Sequence, residues 1–441
     1  MGELSAEFND RLGLSLTYSI HDALKNKAIE LSRSDGAILH TLACELASYA
    51  ARDEETEKAV LWRAHNDLEP TRPLVFCDPE HGWHEIILPK DMRCEGPFAR
   101  VIEFLLRKEI FRATRLQDDK VIEPFIRIPR YFTETERGAR ETRVGGEKSG
   151  DAYAWTAAIH SYDAIDDLQY KRFIIDGERT EHAREVLVDC FGDVLGVCVI
   201  GAFWWSLCPT HDLINLRGLG LLLLDFYDNP DGVHKAMAFL RDETNAFLDD
   251  LEQKGLLCLN NDGTYVGSGG FGFTDELPSP TYDRKNVRTT DLWGFAESQE
   301  TSSISPEMFN EFVLPYQIEV LSRFGLNCYG CCEPLDTRWK YVKRIPRLRR
   351  ISISHWADFE KCAEFLGKNY VFSWKPFPGD LAKRQVDDGM LRAKIRKAVG
   401  IAEKYGCHLE IIMKDCHTLG NNPENAVIFT RIAKEEGNGC S

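Results

Sequence analysis

The feature that most constrains this fold is a rhythm in the last two-thirds of the chain, where short apolar runs alternate with stretches of helical periodicity from about residue 151 onward. Runs of this kind, bounded by turn residues and separated by helices, are how repeated βα units and a buried parallel sheet read in sequence. The candidate strands are Leu195–Ala202, Tyr265–Gly267, Asp291–Ala296, Leu326–Gly330, Ile351–Ser354, Tyr370–Ser373 and His408–Met413. With an earlier run, Leu74–Cys77, they number eight. Eight such strands predict an α/β fold of the (β/α)8 TIM barrel type, whose working face is the C-terminal ends of the strands.

What precedes the rhythm reads differently. Residues 1–69 form a predicted helical extension, with amphipathic helices over Ser15–Arg33 and Asp35–Arg52 that suit a cap or a contact with a second copy, and hence a homodimer. The barrel is expected over 70–441, with about 90–150 as a surface insertion whose Val121–Ile128 is strand-like and whose Gly145–Gly150 is its most flexible part. Between them, Asp78–Glu85 carries His81, His84 and Glu85 on a Pro/Gly loop, which reads as metal-capable or, more ordinarily, as solvated. Within the rhythm, Asn229 before Pro230 predicts a capped helix start.

A formal charge of −16 over 441 residues argues against a nucleic-acid partner, whose binding is driven by Lys and Arg contacts to phosphate. Fourteen cysteines without paired extracellular spacing, and no secretory leader pattern, predict a reducing cytoplasm. Val194–Leu207 is too short and too aromatic to span a bilayer, so no membrane partner is expected.

Chemistry concentrates just after the strands. Leu326–Gly330 delivers Cys331, Cys332 and Glu333, and His408–Met413 delivers Cys416 and His417. Soft sulfur with a carboxylate suits zinc better than magnesium or calcium. Buried, reduced cysteines packing as small apolar residues account for the same pattern. Adjacent residues of an extended chain point to opposite sides, so Cys331 and Cys332 are not both expected to be ligands. The other strand ends contribute Phe203, Trp204 and Trp205, then Glu297, Ser298 and Gln299, then His355 and Trp356, then Trp374 and Lys375. Aromatic groups around a sulfur/carboxylate set predict a flat apolar pocket above a metal, suited to a methylated aromatic or other small apolar methyl donor.

The segment around Cys331, Arg350-Ile-Ser-Ile-Ser-His-Trp-Ala-Asp358, Tyr370-Val-Phe-Ser-Trp-Lys-Pro-Phe-Pro378 and Lys414-Asp-Cys-His-Thr-Leu-Gly-Asn-Asn-Pro-Glu-Asn425 together resemble the uroporphyrinogen decarboxylase superfamily, and within it the cobalamin-dependent methyltransferase branch. The resemblance covers roughly residues 70–430 and is most specific in the C-terminal third. It implies a zinc ion held by a His-x-Cys motif and a distant Cys. Cys416 matches the distant cysteine, and Tyr329-Gly330-Cys331 matches the motif with its histidine absent, so Glu333 or Cys332 stands in as third ligand. The decarboxylase branch fits less well: its Arg-Gln-Ala-Gly-Arg element has no counterpart in Arg72-Pro-Leu-Val-Phe-Cys-Asp-Pro-Glu-His-Gly-Trp83.

The resemblance implies transfer of methyl from a small O-methyl or N-methyl donor to the Co(I) of a separate corrinoid protein. No Asp-x-His-x-x-Gly element for cobalamin occurs in the chain, so a partner has to carry it. Glu297 is the expected proton donor, His355 and His417 the supporting acid/base groups, and Phe203, Trp204, Trp205, Gln299, Tyr329, Trp356, Trp374 and Lys375 the substrate-facing residues. Three alternatives stay open: methyl transfer from a corrinoid protein to a thiol, a decarboxylase-like lyase, and a metal-free binding barrel.

Overall fold

A computed structural model describes residues 15–26, 28–140, 142–145, 153–201, 203–208 and 210–439. Ala202, and the expected flexible loop beyond Gly145, lie outside the described residues.

Eight strands run parallel within their sheets: β1 (Leu74–Cys77), β2 (Phe125–Pro129), β3 (Gly196–Ile200), β4 (Trp293–Ala296), β5 (Leu326–Tyr329), β6 (Leu348–Ile353), β7 (Val371–Trp374) and β8 (His408–Met413). Six of them form one sheet in the order β1-β8-β7-β6-β5-β4, and β2 pairs with β3 alone. The expected closed barrel is therefore corrected to an open six-stranded parallel sheet with a separate two-stranded one.

Side chains occupying ladder positions explain why the sheet stops. At the β1 edge, Val75 N donates to Asp119 Oδ2 (2.8 Å) and Cys77 N to Asp118 Oδ2 (3.0 Å), while Asp119 N donates to Val75 O (2.8 Å). At the β4 edge, Trp293 N donates to Asn260 Oδ1 (2.9 Å) and Asn260 Nδ2 to Trp293 O (3.1 Å). Both edges have their backbone groups satisfied without a neighbouring strand.

Two further expectations are corrected. Tyr265–Gly267 is not a sheet strand: its one bridge is antiparallel, Tyr265 to Phe271, across a glycine-rich turn. Gly267, Gly269 and Gly270 have φ of 70°, 116° and 109°, values that a regular strand does not take. The stretch 90–150 is not peripheral, because it supplies β2 and a buried helix.

The helices that matter for position are α1 (Ser15–Asn26), α2 (Arg33–Ala50), α3 (Asp53–Asn66), α4 (Pro97–Phe111) and α5 (Gly177–Phe191). Phe98, Ile102 and Leu106 of α4 join Leu39 and Leu46 of α2 and Leu187 of α5 in one apolar core. Ser32, rather than Asp35, caps α2, accepting from Asp35 N at 3.0 Å. Asp35 instead accepts from the backbone of Glu95 and Gly96. The long helix α6 (Pro230–Gln253) starts as the sequence predicts, with Asn229 accepting from Gly232 N at 3.1 Å.

Strand alternation divides the sheet residues between two environments. Val75, Tyr329, Ile351, Phe372, Ile411 and Met413 pack under the helices in the main core. The opposite, inner face carries Leu74, Phe76 and Ile412 with Phe271 and Phe273, and Trp293, Phe295 and Cys328 with Val266. The inner face is thus covered by the glycine-rich segment that follows Thr264.

Candidate active site

Polar residues interrupt the apolar inner face in one region. Ser352 of β6 lies in register with Ser373 of β7, and Ser373 with Glu410 of β8. Two and four residues further along the same inward alternation, Lys375 follows Ser373 and Lys414 follows Glu410. Both lysines are buried, at 5% and 3% exposure.

The floor of this region is an ionic cluster. Arg350 Nε lies 3.1 Å from Glu410 Oε1, and His65 Nε2 lies 3.5 Å from Glu410 Oε2. Neither carboxylate oxygen has a well-formed hydrogen bond, so attraction rather than bonding geometry holds the cluster. Burial would raise the Glu410 carboxyl, but Arg350 and then His65 outweigh it and hold it at about 2. Arg350 Nη2 also donates to Phe271 O at 3.1 Å, tying the floor to the glycine-rich segment.

Above the floor lies the mouth. Ser268 Oγ donates to Cys331 Sγ at 3.2 Å, and Lys414 Nζ lies 3.3 Å from Ser268 Oγ and 4.0 Å from Cys331 Sγ. Burial pushes Lys375 down to about 7; Glu410 opposes this, and Lys414 and Arg350 add to it. Lys414 goes the other way: burial disfavours its charge, but Asp415, Cys331, Tyr265 and Glu80 hold it well above the ordinary lysine. The Glu80 carboxyl is raised to about 8, mainly by burial. Its Oε1 and the Tyr265 hydroxyl are buried without a hydrogen-bond partner. Glu80 and Asp415 both hold positive φ, 52° and 60°, and strain of that kind gathers where a site dictates backbone geometry.

Glu297, at the end of β4, is completely buried. Its Oε2 accepts from Gln299 N at 2.9 Å, while Oε1 has no partner. Burial, followed by Glu300, Glu333 and Cys331, raises its carboxyl well above the usual range. Burial and the neighbouring negative groups thus favour the neutral form of the Glu297 carboxyl over the charged one.

The expected metal ligands part company. Cys331 and Cys332 come together, with Sγ atoms 3.6 Å apart, because Gly330 at φ 91° turns the chain out of the extended form assumed from the sequence. Glu333 turns inward: Oε1 accepts from Ser298 N (2.8 Å) and Oε2 from Cys331 N (2.9 Å). Cys416 is buried with Sγ 3.7 Å from Lys414 O, and the groups acting most on it are Cys77 and Glu80. Among the described residues no three His, Cys, Asp or Glu side chains gather so as to hold a metal ion. Two sulfurs are short of the three protein ligands that a catalytic zinc takes. The residues as arranged do not fit zinc.

The other expected site residues scatter. Phe203 packs on Phe132 and Phe173, and Trp204 on Phe247 and Phe324, all in the helix-side core. Tyr329 is also on that side, its hydroxyl donating to Gln317 Oε1 at 2.8 Å, and Trp374 stacks edge-on against Phe359. Trp205 reaches the inner face against Phe295. His355 sits between Trp356 (4.5 Å) and Phe377 (5.0 Å), two rings that are 70% and 46% exposed at the rim. Burial lowers His355 below an ordinary histidine. His417 stacks on His81 at 5.4 Å on the surface. Gln299 Nε2 donates to Glu300 Oε1 at 3.3 Å.

Sequence reading missed Ser268, Tyr265, Glu80 and Lys414. The signal for the first two was the run Val266-Gly-Ser-Gly-Gly-Phe-Gly-Phe273, whose glycines permit close approach to a sheet. A cleft of about 1060 Å³ near Glu30, Ser32, Asp176 and His182 contains none of the strand-end residues.

Fold and site together define an α/β protein with a buried, mixed-charge cluster at the ends of parallel strands. No family model matches the chain, and no curated protein matches it. Among solved structures, the chain is similar to a methyltransferase from Methanosarcina mazei, at 10% identity and a TM-score of 0.43, covering 86% of this chain and 97% of that one. Among the described residues no helix is long and apolar enough to cross a membrane.

Proposed function

We propose that this chain is a methyltransferase that takes a methyl group from a small O-methyl or N-methyl donor and passes it to a separate corrinoid protein. The observation that supports this reading is Glu297: a buried acid that feels the Cys331 sulfur, with its carboxyl raised well above the usual range and Oε1 uncommitted. A methyl group leaves an ether or amine only if the departing oxygen or nitrogen is relieved of negative charge, and a proton delivered there does this. The partner's reduced cobalt supplies the nucleophile that accepts the methyl. Within this chain, Glu297 donates its proton to the departing heteroatom, giving an alcohol or amine, and Lys414 and Ser268 keep the Cys331 sulfur fixed in the mouth. Trp205 and Phe295 offer an apolar wall.

The test mixes the full chain with a reduced corrinoid protein and a panel of O-methyl and N-methyl compounds, and follows release of the demethylated product. Glu297→Gln keeps the shape and removes the acid, so product release falls by about 10²–10⁴-fold. Failure of every donor, or an undiminished rate in Glu297→Gln, overturns the reading. Stoichiometric zinc in the same preparation, made without chelator, contradicts the arrangement of Cys331, Cys332 and Cys416 described above.

A further inference from the structure

We propose that Lys375 and Lys414 anchor a single carboxylate group on the small molecule that enters the mouth. The inference rests on the mouth being the substrate site, and it adds the class of substrate. Lys375 Nζ donates to the carbonyl oxygen of Ser373 (3.3 Å) and to its hydroxyl, and among the described residues it has no carboxylate within ion-pair distance. An ammonium held away from water without a counter-charge is costly, and an arriving anion relieves that cost. Lys414, on the neighbouring strand and the same inward face, has Asp415 at 3.5 Å, but Asp415 is 38% exposed and lies towards solvent. The buried, partnerless Tyr265 hydroxyl acts on Lys414 from close by and adds a donor for one anionic group.

Charge counting selects the kind of anion. An arriving anion draws a proton onto Lys375, and Arg350, Lys375 and Lys414 then bring three positive charges to this region against two negative ones from Glu410 and Asp415. The Glu80 and Glu297 carboxyls are both raised by burial, which disfavours further negative charge there. One negative charge balances the region, which a monocarboxylate supplies and a phosphate dianion exceeds. Lys414 is near enough to act on the charge of Lys375, and ammonium-to-carboxylate contacts are the short charge-assisted bonds that bind most strongly.

Isothermal titration of the full chain with benzoate, with its neutral isostere benzamide and with inorganic phosphate tests the assignment. Benzoate binds at least tenfold more tightly than benzamide, and Lys375→Met and Lys414→Met each weaken benzoate at least tenfold while leaving benzamide unchanged. Absence of benzoate binding, equal affinity for benzamide, or full affinity in Lys375→Met overturns the proposal; tighter binding of phosphate overturns the monocarboxylate. The wild-type comparison of benzoate with benzamide needs no variant to fold. Methyl transfer from neutral donors at the same kcat/KM as from carboxylate donors sinks this inference alone. Carboxylate binding without any methyl transfer sinks the proposed function and leaves the anchor standing.

Discussion

Replacing Lys375 with methionine should stabilise the protein, by an amount that depends on pH in a defined direction. The amine is buried with only Ser373 as hydrogen-bond partner, and its folded value is about 7 against 10.5 for an ordinary lysine. At about 1.4 kcal/mol per pH unit, the penalty for burying it is roughly 5 kcal/mol. The penalty is complete below pH 7, where the ammonium persists in both states. Between pH 7 and 10.5 the unfolded chain binds the proton and the folded chain does not, so wild-type stability gains from this group as pH rises. Lys375→Met has no such gain, so its advantage over wild type shrinks by roughly 3 kcal/mol from pH 7 to pH 9. Urea unfolding followed by tryptophan fluorescence at pH 7, 8 and 9 measures the difference, and other titrating groups cancel in the subtraction. A difference independent of pH, or a variant less stable than wild type at pH 7, refutes the reasoning.

Two further substitutions probe the floor and its cover. A Cβ added at Gly270 would sit 2.9 Å from Arg350 Cζ on a residue at φ 109°, so Gly270→Ala should cost about 1–3 kcal/mol in urea unfolding; an unchanged midpoint would show that the segment yields. Glu410→Gln leaves Arg350 buried without its counter-charge and should cost about 3–5 kcal/mol, with a loss below 1 kcal/mol showing that Asn66 and Phe271 suffice to hold the guanidinium.

Much of the parallel sheet was legible because its strands are buried on both faces and read as apolar runs. Leu326–Gly330, Tyr370–Ser373 and His408–Met413 fall within a residue or two of β5, β7 and β8. Phe125–Pro129 was placed in an insertion because its flanks are polar, and Tyr265–Gly267 was taken for a strand because its aromatic and β-branched residues outweighed the glycines beyond it. Closure of the sheet was not legible at all. It depends on Asp118, Asp119 and Asn260 taking backbone positions along β1 and β4, which no local periodicity records.

By itself the sequence determined which residues sit at strand ends, since alternation and turn residues are local properties. Glu297, Cys331 and Lys375 were found that way. Only the tertiary structure decided which of them meet: Gly330 turns Cys331 towards Ser268 and Lys414, Cys416 stays among Cys77 and Glu80, and Tyr329 and Trp374 face the helices. The physical reason is that a strand's facing and its neighbours are set by pairing across tens to hundreds of residues. The influences that lower Lys375 and raise Glu297 come from the exclusion of water around them and from those distant neighbours.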